Sequence, residues 1–185
     1  DRLQKIYDYI QKFNPELLSN DEIIYQDDKK NSYLINKPPN NLLSLFLGGN
    51  TLSPSAMTIE KSVFNTIGYF LEDKVLLGVE DWDYWLRVFE KNKYIHYLSE
   101  PLGIYRKDIK NMSKDLDFHE KVYQIFILHG EYLLNEGKLS RKEFEIGKSF
   151  IYLRRLFKNI FLIKNYNFYF GKINLKYFRF VFSKL

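Results

Sequence analysis

Apolar Leu3, Ile6, Tyr7 and Ile10 recur at the spacing of one helix face, and the run stops at Asn14-Pro15, so residues 1 to 13 are predicted to form a helix of about three turns. Residues 20 to 47 are polar and rich in turn formers, with a short strand predicted over Glu22 to Gln26 and a break at Pro38 and Pro39. Gly48 and Gly49 then permit a close backbone turn. Ala56 to Ile59 has the pattern of a buried strand, and Glu60 to Ile67 that of a short helix closed by Gly68.

From Glu80 to Asn92 the pattern changes to Trp82, Trp85, Leu86 and Phe89 at i, i+3, i+4 and i+7, one apolar stripe on a helix. Asp83 and Arg87 are four apart on it, a spacing that suits a surface ion pair of about 0.3 to 0.5 kcal/mol. Two short strands are predicted next, "KYIHYL" and "LGIYR", separated by "SEP". Beyond about Asp115 the periodicity is helical, with one helix through about Leu134 and another from Ser140 to about Lys164. Ser140 with Glu143 forms a capping box at the start of the second.

At 185 residues and 45% apolar content the chain can fill the core of one domain with an appendage. It has no cysteine, which excludes a disulfide framework and thiolate zinc sites and fits a reducing, intracellular setting. No run reaches 18 apolar residues and the opening lacks a secretory layout, so the chain is expected to be cytoplasmic, or peripheral on the inner face of a membrane. It opens without methionine inside a predicted helix and is expected to be part of a longer protein.

The net charge of +5 is unevenly placed. Lys148 to Leu185 holds nine Lys or Arg, no acid and twelve aromatic residues, leaving 19 positive against 23 negative charges before it. A basic aromatic tail of this kind suits an anionic membrane surface, or packing on the domain or on a second copy of the chain as a homodimer.

The residues most suggestive of chemistry are "GVEDWDYWLR", which sets Glu80, Asp81 and Asp83 against the chain's two tryptophans, Trp82 and Trp85. On spacing alone this is a helix start: acids at the positive end of the helix dipole, tryptophans as anchors. The order of features says more. "NTLSPSAMTIEKSVFNTIGYF", "GVEDWDYWLRVFEKNKYIHYLSEPLGIYR" and "NMS" together resemble the second half of the catalytic domain of family 2 glycosyltransferases of the GT-A fold, over roughly residues 46 to 113.

That resemblance implies an α/β fold: a partial GT-A catalytic domain lacking its N-terminal half over residues 1–113, and a mainly α-helical extension over 114–185. It implies transfer of a sugar from a nucleotide-sugar donor to a hydroxyl of a sugar or lipid-linked acceptor, with inversion, in cell-surface polysaccharide or glycolipid synthesis. Carried onto this chain, Asp81 is the general base, Glu80 orients the acceptor, Trp82 forms part of the cleft wall, and Arg106 of "YR" falls on the acceptor side. Asn50, Ser53 and Ser55 either hydrogen-bond an acceptor sugar or serve as turn and strand-end residues. A divalent cation, Mn²⁺ or Mg²⁺, is implied, bound by an Asp-x-Asp motif upstream of residue 1. Asp27-Asp28 does not replace that motif, and Asp108 stands where relatives often have a histidine, a weak metal candidate and more simply a solvated loop residue. On this reading residues 1–185 alone lack the donor site and are inactive. His96, His119 and His129 read as structural, and Glu60 with Lys61 as a solvated helix start.

Two other functions fit parts of the pattern. A non-catalytic assembly domain derived from a transferase would retain the helical tail, and a nucleic-acid-binding module would use its basic aromatic character. The tail's aromatics have helical, core-like spacing, which argues against nucleic acid.

Overall fold

The computed structural model describes residues 1–26, 29–107 and 117–162, the side chains of residues 31 and 154–162 excepted. It is a mixed α/β structure with one four-stranded mixed sheet and, among the described residues, six α-helices. The chain divides into two compact units, Asp1–Phe118 and His119–Leu185. The boundary expected near residue 113, Asp27-Asp28, Asp108, "NMS" and the tail beyond residue 162 lie outside the described residues.

In the first unit α1 (Arg2–Phe13) starts at Asp1, whose carboxylate accepts the Leu3 N–H, and stops at Asn14 in the left-handed region (φ 44°). The chain then enters β1 (Leu17–Gln26), the centre of the sheet. β1 pairs antiparallel with β2 (Lys29–Leu34) over its second half and with β3 (Met57–Ile59) at its start, and runs parallel to β4 (His96–Arg106) along most of its length. Between these strands come α2 (Leu42–Gly48), a 3-10 turn at Pro54–Ala56, α3 (Val63–Ile67) and α4 (Glu80–Glu90), with α2 and α3 packed on α4.

Two expectations need revision here. The strand expected over Glu22 to Gln26 begins five residues earlier, so the polar run Ser19, Asn20, Asp21 and Glu22 is a buried part of the central strand, not a turn. The two strands expected around "SEP" are one strand, β4, whose register against β1 slips on either side of Asp21, where Pro101 is its partner. Proline brings no N–H to a ladder. At the same point the Asn20 side-chain amide donates to the Asp21 carbonyl at 2.7 Å.

The core of the first unit forms around α4. Tyr84, Trp85, Leu86 and Val88 are fully buried, and Phe70 stacks on Tyr84 with 4.2 Å between ring centroids and meets Trp85 edge-on. Each large side chain removed from water in this way contributes about 1.5 to 3 kcal/mol.

The second unit is a helical hairpin of α5 (Phe118–Asn135) and α6 (Arg141–Leu162). Phe126 stacks on Phe144, and Ser140 and Glu143 form the expected capping box, the Glu143 N–H donating to Ser140 Oγ at 3.2 Å and the Ser140 N–H to the Glu143 carboxylate at 2.9 Å. The Ser140 hydroxyl also donates to that carboxylate at 2.6 Å, and with the Ser140 N–H it holds Glu143 below the usual carboxylate range. Among the described residues no helix is long and apolar enough to cross a membrane.

Candidate active site

The site is built where the loop 49–55 meets the first turn of α4. Val79, the residue that caps α4, makes no side-chain cap, so the helix's first N–H groups must be satisfied otherwise. Asp81 Oδ1 accepts the Trp82 N–H at 2.7 Å, and the Glu80 carboxylate accepts the N–H of Gly78. Gly78 has φ 97°, a conformation that side-chain-bearing residues rarely adopt, so the turn that brings its N–H to Glu80 depends on glycine.

Asp81 receives its second hydrogen bond from across the site, with Asn50 Nδ2 donating to Oδ2 at 2.8 Å. The rest of the Asn50 amide is engaged too: its Oδ1 accepts the Leu52 N–H at 3.0 Å. Trp85 Nε1 donates to the Leu52 carbonyl at 3.3 Å, tying the loop to α4. A half-buried carboxylate thus faces an exposed amide whose orientation is set by its own loop.

Burial pushes the Asp81 carboxyl up to about 6, reinforced by the Glu80 charge and opposed by the Trp82 and Asn50 hydrogen bonds. Desolvation thus outweighs the pull of the helix N-terminus toward the ionised form. At pH 7 such a group is still about 90% ionised, and it is a stronger base than an ordinary aspartate.

Asp83 is also not where the spacing put it. Its side chain is only 3% exposed, and Arg87 donates to its Oδ2 through Nε at 2.9 Å and Nη2 at 2.7 Å. Arg87 further donates to the carbonyls of Ile67 and Tyr69. This is a half-buried clamp of α4 onto the end of α3, not a surface pair.

Of the other candidates, Trp82 is 3% exposed and packs into the core, so it offers almost no ring face to a ligand, against the expected place in a cleft wall. Its ring N–H is buried with no hydrogen-bond partner among the described residues. Ser53 and Ser55 lie in the loop and bond each other, while Ser55 Oγ donates to Glu22 Oε1 at 2.7 Å and the Ser53 N–H to Asn36 Oδ1 at 2.9 Å. Those are turn and anchoring roles. Arg106 ends β4 opposite Tyr25 and is exposed. His96 opens β4 with Tyr9 and Tyr94 edge-on to its ring. Among the described residues no group of three or more His, Asp or Glu side chains is placed to hold a metal ion.

The spacing of the sequence did not point to the polar network behind the loop. Asp21, Glu22 and Asn36 are buried: Tyr97 Oη donates to both Asp21 oxygens, the Asn36 N–H donates to Asp21 Oδ1, and Asn36 Nδ2 donates to the Asn20 carbonyl. The one signal available was that "SNDE" lies between Leu17-Leu18 and Ile23-Ile24, apolar pairs that one strand would connect. No family model, curated protein or solved structure matches the chain.

Proposed function

We propose that this chain is the acceptor-side part of an inverting glycosyltransferase of the family 2 type with a GT-A fold, and that Asp81 is its general base. The observation that carries the reading is the Asn50–Asp81 pair: a half-buried carboxylate with its basicity raised, on the first turn of a helix clamped by Arg87 and Trp85. The acidic-aromatic motif and the "PLGIYR" strand lie in the order that the resemblance requires.

In the reaction an acceptor hydroxyl attacks the anomeric carbon of a nucleotide-sugar. The new C–O bond forms as the bond to the diphosphate oxygen breaks, the nucleoside diphosphate leaves with the electron pair, and the hydroxyl proton passes to an Asp81 oxygen. A base near pKa 6 is suited to this at neutral pH, being largely ionised and still basic enough to take the proton as the hydroxyl acidifies in the transition state. Asn50, donating to Oδ2, fixes the carboxylate plane so that an oxygen stays directed at the acceptor. Partners on this reading are the nucleotide-sugar donor, handled outside the described residues, and a sugar or lipid-linked acceptor. Any divalent cation belongs with the donor.

The test is Asp81→Asn in the enzyme containing this chain, assayed with its donor and acceptor. General-base loss lowers kcat by about 10² to 10⁴ while donor affinity holds. A variant that transfers sugar at the wild-type rate removes Asp81 from the role.

A further inference from the structure

We propose that Glu22 on β1 and Asn36 just past the end of β2, both buried, are positioning residues for Asp81: they hold the loop whose Asn50 grips that carboxylate. This rests on the reading of Asp81 as the base, but the geometry stands independently of it. Asn50 is exposed and follows Gly48 and Gly49, so by itself it would sample many orientations, and a bond from it to a carboxylate would cost the entropy of ordering it.

The structure removes that freedom residue by residue. The Asn50 amide is oriented by the Leu52 N–H at 3.0 Å. The next residue, Ser53, donates its N–H to Asn36 Oδ1 at 2.9 Å, and Ser55 Oγ donates to Glu22 Oε1 at 2.7 Å. Arg2, from α1, donates to the Ser55 carbonyl at 2.8 Å. Asn36 is itself locked: its N–H goes to Asp21 Oδ1 at 3.0 Å and its Nδ2 to the Asn20 carbonyl at 3.0 Å, with Glu22 Oε2 at 3.4 Å. Two side chains anchored on the central strand therefore hold the loop at Ser53 and Ser55, the residues that follow the turn carrying Asn50.

Glycine at 103 on β4 leaves Glu22 the space it occupies: a Cβ placed there would lie 3.1 Å from Glu22 Cγ and 3.3 Å from Oε1. Buried amides and carboxylates that only fill a core would serve as well with their partners inside the sheet. Here each spends a hydrogen bond on the loop.

The alternative is that the Trp85 bond to the Leu52 carbonyl fixes the loop by itself and the network only stabilises the sheet. The two are separated by following the Asp81 carboxyl by NMR through a pH titration of the 185-residue chain, alongside thermal unfolding. Asn50→Ala removes a donor to the ionised form, and the midpoint rises from about 6 by about one pH unit. The Glu80 charge is unchanged in every variant.

If Asn36 positions Asn50, Asn36→Ala moves the midpoint the same way and the double variant Asn36→Ala/Asn50→Ala moves it no further than Asn50→Ala alone. Ser55→Ala, at an exposed position that leaves the fold intact, cuts the Glu22 contact and gives a smaller rise; it decides the matter should Asn36→Ala not fold. Variants that lose melting temperature while the Asp81 midpoint stays at the wild-type value, or effects that add in the double variant, overturn the proposal. Because the readout is a titration, it stays distinct from the transfer assay: a coupled titration in a protein whose Asp81→Asn form transfers normally would leave the positioning intact and remove the base.

Discussion

The middle of β1 and the first turn of α4 each carry adjacent acids, and the fold treats them differently. Asp21 and Glu22 lie deep in the sheet and are given donors: Tyr97 Oη and the Asn36 N–H for one, Ser55 Oγ and the Asn36 amide for the other. Asp81 lies nearer the surface and receives two donors, one of them its own neighbour's N–H, with the Glu80 carboxylate beside it. On α4 itself Asp83 repeats the β1 solution, meeting a guanidinium. Depth alone therefore does not make a carboxylate reactive. At Asp81 burial, with the Glu80 charge beside it, outweighs two accepted hydrogen bonds and raises basicity.

The largest test of that contrast is Asp83→Ala. It strips Arg87 of two hydrogen bonds while leaving it half-buried on two carbonyls, and removing one partner of such a pair costs about 3 kcal/mol. Urea unfolding should show the midpoint falling accordingly. A loss of only a few tenths of a kcal/mol would return Asp83 to the surface pair that the i, i+4 spacing suggested.

Asp81→Asn should have the opposite pH signature. The folded Asp81 pKa, about 6, lies above the usual aspartate value of 3.8, so between these values the native state binds more protons than the unfolded one, and stability falls as pH rises through that window. The asparagine variant does not titrate. Its stability relative to wild type should improve by about 2 kcal/mol between pH 4 and pH 7, less than the full shift implies because at pH 4 the unfolded aspartate is already more than half ionised. Parallel stability curves for the two proteins across that window would mean that the carboxylate is not under strain.

The α4 site was legible in the sequence because a helix advertises burial through its spacing: Trp82, Trp85 and Leu86 mark the inner face, and the acids fall in the first turn. The sequence misled on Asp83, since an i, i+4 pair has the same spacing whether or not a neighbouring helix end covers it. β1 was half legible. Ile23, Ile24 and Tyr25 read as strand, but Ser19 to Asp21 have the composition of a turn, and the burial of this polar run through Glu22 depends on Asn36, Ser55 and Tyr97 arriving from distant parts of the chain. Polar residues satisfied only by long-range partners carry no local signature. Pro101 likewise read as a break, although β4 absorbs it with a register shift.

A smaller effect probes the sheet side. At Gly103→Ala the new methyl meets Glu22, which Ser55 and Asn36 hold in place, and the overpacking should cost about 1 kcal/mol. Guanidinium melts of the single variant and of Gly103→Ala with Glu22→Ala check the cause, since shortening Glu22 should remove the penalty of the methyl. An equal cost in both backgrounds would place the clash elsewhere.

The smallest effect is expected at Trp82, whose ring N–H is buried without a hydrogen-bond partner among the described residues. Trp82→Phe gives up part of the ring's packing, about 1 to 2 kcal/mol, but also removes a donor that costs about as much to leave unpaired, so the net change should stay within about 1 kcal/mol of zero. Trp85→Phe is the matched comparison, because its indole N–H is bonded to the Leu52 carbonyl and the substitution orphans that acceptor as well as opening space. The two variants should therefore differ by about 1 to 2 kcal/mol in thermal unfolding, with Trp85 the costlier. Equal losses would mean that the Trp82 N–H has a partner outside the described residues.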